Sequence, residues 1–351
     1  MKTIDLSRER LAELVSRFGD ARIAILGDFF LDKYLDIDPA LGERSVETGK
    51  TAHQVIGVRC SPGAAGTVVC NLAALGAGTL HSIGFTGDDG ESYDLRKQLA
   101  NLGCSTEHLH IADDRFTPTY LKPRDADVVS LDAEHSRLDT KNRTATSTGL
   151  EERIVASLDS LLPNVDAVIV LDQVDIPDSG VVTTTVRESL SQRAKANANV
   201  LFWADSRRRI HDFPGLTIKP NQFEVMNVDN PLPDDEIKFE ELLEAAAELR
   251  AKNEAPVVMT RGTHGMVVSD PEWTAVPGIH VDSPVDPTGA GDSATAGAVL
   301  ALCAGATLAE AALVGNLVAS ITVQQINTTG TASPDQLAPR LAMWQQQNRL
   351  A

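Results

Sequence analysis

Short runs of consecutive apolar residues recur along the chain. RIAILG (22–27), TLHSIGF (79–85), DAVIVLD (166–172), NVLFWAD (199–205), GLTIKP (215–220) and APVVMT (255–260) read as strands. Between and after them, residues 64–76, 90–102, 148–162, 179–196, 235–252 and 291–304 read as helices. Strands that are apolar throughout and separated by helices predict a parallel sheet covered on both faces. In such sheets ligands bind beyond the carboxyl ends of the strands. Asp28, Asp32, Asp172, Asp205 and Asn221 fall at or just after predicted strand ends.

Two segments break this rhythm. Residues 33–61 and 113–140 are polar, lack a helical period, and contain alternating pieces such as HQVIGV (53–58) and TYLKP (119–123). They read as strands of a small β lid inserted into the α/β body, with two long surface loops as the alternative. The body is then 1–32, 62–112 and 141–351.

Composition narrows the function. The 351 residues carry 31 basic and 49 acidic side chains, a net charge of −18. A basic face for nucleic acid is not expected, and neither is docking on anionic membranes. Cys60, Cys70, Cys104 and Cys303 form no CxxC pair and read as reduced thiols. The start, MKTIDLSRERLAELV, is charged, with no apolar signal-type region, so a cytoplasmic protein is expected.

The densest chemistry lies in DPTGAGD (286–292), which runs into the small-residue stretch SATAGAVLALCAG. Gly289 and Gly291 permit a sharp turn and leave amides uncovered, and the helix start adds unpaired N–H groups and a positive dipole end. This is a seat for a phosphate. Asp292 inside the seat is a liability for phosphate binding alone. It makes sense as a base on a hydroxyl beside the phosphate, with the amides of 289–291 stabilising charge on the transferring group.

DPTGAGD closely resembles the D-T-x-G-A-G-D signature of the ribokinase-like (PfkB) carbohydrate kinases. PGAAGTVVCNLAALGA (62–77), GFTGDDGE (84–91), KPNQFE (219–224) and TRGTHGM (260–266) resemble further family elements in the right order. The resemblance implies the ribokinase-like α/β fold and ATP-dependent phosphorylation of a sugar. It implies Asp292 as catalytic base, with Gly289, Ala290 and Gly291 as the anion hole. Asp286 and Thr288 would border a monovalent-cation (K⁺) loop. Asn221 and Glu224 would organise Mg²⁺, largely through water. Thr260, Gly262 and Gly265 would shape the nucleotide pocket, with Asn316 near the adenine. Asp32, Asp28, Gly63 and Thr67 would face the sugar, although Asp28 and Asp32 also suit strand-end turns and Gly63 a helix start. Thr67 stands where the family usually has Asn, and Pro287 where it usually has Thr.

The opening GDFFLDKY (27–34) and the tail GTASPDQL (330–337) resemble the heptose-7-phosphate kinase branch, here without the H-x-G-H motif of its bifunctional members. A stand-alone kinase is expected on that basis. A sugar phosphate needs cations, and the candidates are Arg44, Arg59, Lys122 and Arg124 in the lid, and Arg207–Arg209. The last run reads equally as a solvated charge run. A kinase for an unphosphorylated sugar or a nucleoside, and a non-catalytic sensor on the same fold, are the alternatives. A homodimer through the lid is a further expectation.

Overall fold

The computed structural model describes residues 2–128, 133–232, 235, 237–326 and 330–349. After a short strand β1 (Lys2–Thr3) and helix α1 (Arg8–Ser16), the chain enters β2 (Arg22–Gly27). Two long strands follow, β3 (Phe29–Arg44) and β4 (Thr51–Ala64), and then α2 (Ala65–Ala74). Next come β5 (Thr79–Thr86), α3 (Gly90–Asn101), β6 (Cys104–Ser105), β7 (Leu109–Ile111), β8 (Thr119–Asp125) and β9 (Leu138–Thr140). Strand–helix alternation resumes with α4 (Thr148–Leu161), β10 (Ala167–Asp172), α5 (Thr184–Ala196), β11 (Leu201–Ser206) and β12 (Thr217–Ile218). The last part holds α6 (Gln222–Val225), α7 (Phe239–Asn253), β13 (Val258–Thr260), β14 (Met266–Val268), β15 (Thr274–Val276), α8 (Ala290–Cys303), α9 (Leu308–Thr322) and α10 (Pro334–Arg349).

The central sheet runs β12-β11-β10-β2-β5-β6, all pairs parallel, with β7 beside β5. Bridges Ile218–Val257 and Asn221–Thr260 continue it toward β13, which opens the four-stranded sheet β1-β15-β14-β13. Alternation within each strand sorts the core. Ile23, Ile25, Ile169, Leu171 and Trp203 pack against α2, α8 and α9, whereas Ala24, Leu26, Val168, Val170 and Phe202 pack against α4, α5 and α7. Both faces are thus covered, which is why these strands are apolar at every position.

A separate sheet, β4-β3-β8-β9, carries the two segments that broke the sequence rhythm. Its strands extend beyond the expected limits of 33–61. Asp32 lies inside β3 and Gly63 inside β4, because these strands run on without a break from the end of the central sheet. Residues 129–132 of the second segment lie outside the described residues. Helix α5 starts at Thr184 rather than 179, where the Thr183 hydroxyl caps the Val186 N–H. Helix α7 starts at Phe239 rather than 235, and of the acidic loop before it residues 233, 234 and 236 lie outside the described residues. Among the described residues no helix is long and apolar enough to cross a membrane.

Candidate active site

The DPTGAGD loop sits where α8 begins. Gly289 caps the helix in the left-handed region, φ 76°, which a glycine adopts without cost. The Asp286 N–H donates to the Val323 carbonyl (2.7 Å), and the Asp286 carboxylate accepts the Thr288 N–H (3.0 Å), fixing the loop from both sides. Among the described residues the N–H groups of Gly289, Gly291 and Asp292 have no protein acceptor. Ala290 departs from expectation. Its N–H donates to the Pro287 carbonyl (3.1 Å), so it is spent on the turn rather than open to an anion.

Asp292 is half-buried in this seat. Loss of water, then the charge of Asp205, pushes its pKa up to about 7, against the opposing pull of Lys219 and Arg207. Lys219, which sequence reasoning left without a role, is the central cation. It is buried, its Nζ lies 2.7 Å from Asp205 Oδ2, and a Cβ added at Gly291 would fall 3.3 Å from that Nζ. An ammonium therefore sits against the anion seat. The signal available in the sequence was a lysine closing one apolar strand and an acid closing its neighbour.

On the other side stands Asp32, buried, with Oδ1 2.8 Å from Lys122 Nζ, which also donates to the Tyr34 hydroxyl (3.3 Å). A Cβ at Gly63 would come within 2.6 Å of Asp32 Oδ2, so the glycine makes room for that carboxylate. Thr67 is buried in the first turn of α2, its carbonyl accepting the Asn71 amide (3.0 Å). Strand register places Tyr34 and Asp36 beside Arg59 and Gly57 on one side, and beside Lys122 and Arg124 on the other. Arg59 grips Asp36 with two hydrogen bonds (3.0 and 3.1 Å), and Arg124 Nε lies 3.8 Å from Asp36. Arg44 does not join them: it is exposed and donates to the Gly49 carbonyl at the far turn.

Asp28 lines a cavity, but its carboxylate is heavily committed to backbone. Its carboxylate accepts the N–H groups of Gln173 (2.8 Å), Val174 (3.2 Å) and Val181 (2.7 Å), so it ties down the loop after β10 and has little left for a sugar. Burial, and then the charge of Asp172, nevertheless pushes its pKa up to about 7.

At the other end of the cleft, Asn221 and Glu224 form a reciprocal cap on α6. Asn221 Oδ1 accepts the Phe223 and Glu224 N–H groups (2.8 and 2.9 Å), and Glu224 Oε2 accepts the Asn221 N–H (2.7 Å). Among the described residues the other Glu224 oxygen has no hydrogen-bond partner. Burial and the Asp205 charge push the Glu224 pKa up to about 7, a strain that a divalent cation would relieve. Among the described residues no group of three His, Cys, Asp or Glu side chains could hold a metal. Thr260 bridges Asn221. Gly262 and Gly265 both have positive φ, and a Cβ at Gly265 would fall 2.2 Å from the Val276 carbonyl. The Asn316 amide donates to the Val276 and Pro277 carbonyls (3.1 and 3.3 Å), so its NH₂ braces the strand end instead of facing a base.

The run Arg207–Arg209 divides three ways. Arg209 is forked onto buried Asp172 (Nε 3.0 Å, Nη2 2.6 Å), and Arg208 pairs with Asp229 (2.6 Å). The exposed Arg207 side chain has no ion pair or hydrogen bond among the described residues.

Residues 36–336 match the pfkB family carbohydrate kinase pattern. The chain belongs to the PfkB family of carbohydrate kinases. It is a phosphotransferase. This kinase is 29% identical over 333 residues to the bifunctional protein HldE of Desulfatibacillum aliphaticivorans, covering 92% of this chain and 63% of that one. It is 29% identical over 331 residues to HldE of Gluconobacter oxydans, covering 93% and 65%. It thus spans less than two thirds of the length of these relatives. Its fold is ribokinase-like. It is similar to Arabidopsis thaliana ribokinase complexed with ribose and ATP (TM-score 0.64, 17% identity, 92% of this chain and 98% of that one). It is also similar to Escherichia coli phosphofructokinase-2 in complex with potassium (TM-score 0.65, 18% identity, 92% and 99%).

Proposed function

We propose that this kinase moves the γ-phosphoryl group of ATP to a hydroxyl of a sugar phosphate, with Asp292 as general base. The observation that carries the reading is the Asp292 carboxyl, poised at about 7 between the open amides of Gly289 and Gly291, the Lys219 ammonium and the sugar-side pair Asp32–Lys122. Asp32 orients the acceptor. Asp292 takes the hydroxyl proton, the acceptor oxygen bonds to the γ-phosphorus, and the bond from that phosphorus to the bridging oxygen breaks, so ADP leaves with the electron pair. The N–H groups of Gly289 and Gly291 meet the charge on the phosphoryl oxygens. Glu224 and Asn221 would hold Mg²⁺ through water, and the ion would supply neutralisation of phosphate charge. The Asp286 and Thr288 carbonyls suit a K⁺ site behind the loop, and Thr260, Gly262 and Gly265 form the nucleotide side. Thr67 and Gly63 border the acceptor.

A phosphorylated acceptor is favoured by Lys122, Arg59 and Arg124, which line the same strands as Asp32 and, among the described residues, pair with Asp32 and Asp36 alone. Heptose 7-phosphate is the specific candidate, in keeping with the HldE relatives. One observation favours the second reading, a nucleoside or other unphosphorylated acceptor. A cavity of about 230 Å³, with Asp28 in its lining, is walled by Phe30, Tyr120, Phe85, Val174 and Val181. The small sheet serves as a lid that excludes water during transfer. The exposed Val55 and Val58 on its outward face suit pairing with a second copy. ADP release measured across a panel of sugar phosphates, free sugars and nucleosides tests the reading. Turnover confined to unphosphorylated acceptors removes the sugar phosphate, and no turnover with any acceptor removes the kinase mechanism.

A further inference from the structure

Three consecutive arginines follow β11, and two are neutralised by carboxylates. Arg209 is committed to Asp172 and Arg208 to Asp229. Arg207 alone keeps an exposed, unpartnered guanidinium among the described residues. Its backbone is fixed, because its N–H donates to the Asp172 carbonyl (3.0 Å) at the end of the neighbouring strand. It lines a cleft of about 350 Å³ together with Asn221, Phe223 and Glu224. Lys219, at the end of the adjacent parallel strand β12, stands on the Gly291 side of the same region. The positive charge of Arg207 offsets a small part of the pKa rise at both Asp292 and Glu224. Arg207 thus faces the cleft on the Asn221–Glu224 side, where the metal-bound phosphates of the proposed reaction would lie.

We infer that Arg207 is a catalytic residue that grips the transferring phosphoryl group, supplying from within the chain the planar cation that phosphoryl transfer uses to stabilise its transition state. The assignment rests on the phosphoryl-transfer reading above. The guanidinium matches two phosphoryl oxygens at once, and its stem, being unpaired, needs to break no ion pair to reach them. Lys219 differs. Its bond to Asp205 makes it a fixed point charge, so the two cations divide the work into a fork that closes and a charge that stays.

The test is a comparison within the run. Arg207→Gln is expected to lower kcat by about 10³-fold, at the low end for arginines in phosphoryl transfer, while the acceptor KM changes less than about threefold. Arg207→Lys recovers about tenfold of the loss. Arg208→Gln leaves kcat within about twofold, since its guanidinium, on the wall of the same cleft, is already committed to Asp229. The pH at which kcat/KM levels off rises in Arg207→Gln, because a cation near Asp292 is gone. Titration of ADP with aluminium fluoride, a mimic of the phosphoryl group in flight, gives a readout free of turnover. Wild type binds the pair much more tightly than ADP alone, and Arg207→Gln loses that gain while keeping its ADP affinity. Unchanged kcat with a raised acceptor KM overturns the proposal and moves Arg207 to the acceptor. Unchanged aluminium fluoride binding overturns it as well. Failure of the underlying reading looks different: Asp292→Asn then keeps full turnover whatever the Arg207 variants do.

Discussion

The two walls of the cleft are built in different ways. On the α8 side, the groups are held by backbone and burial. Gly289 sets the helix start, Asp286 bonds within its own loop, and the Lys219–Asp205 pair is closed off from water. On the small-sheet side, apart from the buried pair Asp32–Lys122, charges are held mainly by other side chains. Arg59 and Asp36 are partly exposed, and among the described residues three cations share two acids. The first wall has one geometry, suited to a reaction whose transition state is always the same. The second can exchange an ion pair for a ligand, suited to choosing an acceptor. Reaction and specificity are thus placed on separate elements.

The largest break in this division comes from the α8 wall. Asp292→Asn is expected to lower kcat by about 10²–10⁴-fold with little change in acceptor KM, measured by coupled ADP release. Lys219→Met should lower both activity and stability. It strands buried Asp205 without its partner, a loss of about 3–5 kcal/mol in denaturant unfolding. An enzyme that lost activity with unchanged stability would show that the pair is not the buried contact it is taken to be.

The pH profile sharpens the same wall. A base with its pKa raised to about 7 must be ionised to act. In the free enzyme kcat/KM should therefore climb about tenfold per pH unit below 7 and level off above it. A profile already flat at pH 5 would remove Asp292 as the rate-controlling base.

Changes on the small-sheet wall should be milder and confined to KM. Lys122→Met removes a charged hydrogen bond beside Asp32 and should raise acceptor KM about ten- to hundredfold, leaving kcat largely intact. Arg59→Ala, breaking a partly exposed pair, should raise it about threefold, an effect that shrinks in high salt. If Arg59→Ala lowered kcat instead, the separation of reaction from specificity would fail.

Much of this plan was legible in the chain. Apolar runs named the parallel strands, since a strand buried on both faces has no polar positions to show. DPTGAGD named the helix start, since a left-handed turn into a helix calls for glycine. The same local logic failed where one residue type can satisfy two kinds of partner. Asp28 and Asp32 lie four residues apart near the end of β2, yet one binds three amides of a distant loop and the other a lysine of β8. Ala290 was assigned an open amide that its own turn consumes. Asn316 was assigned to a nucleotide, and its amide braces two carbonyls of the strand end.

By itself, then, the sequence determined the family, the parallel sheet, the anion seat and its acid, because these depend on local rules of period, turn and helix start. Only the tertiary structure decided which charges are free. It brought Lys219 against Gly291 and split three adjacent arginines among Asp172, Asp229 and open cleft. It also joined Lys122 to Asp32 across two strands far apart in the chain. The reason is electrostatic. A side chain's charge is written in the sequence, but whether it is spent depends on which opposite charge the fold sets within a few ångströms.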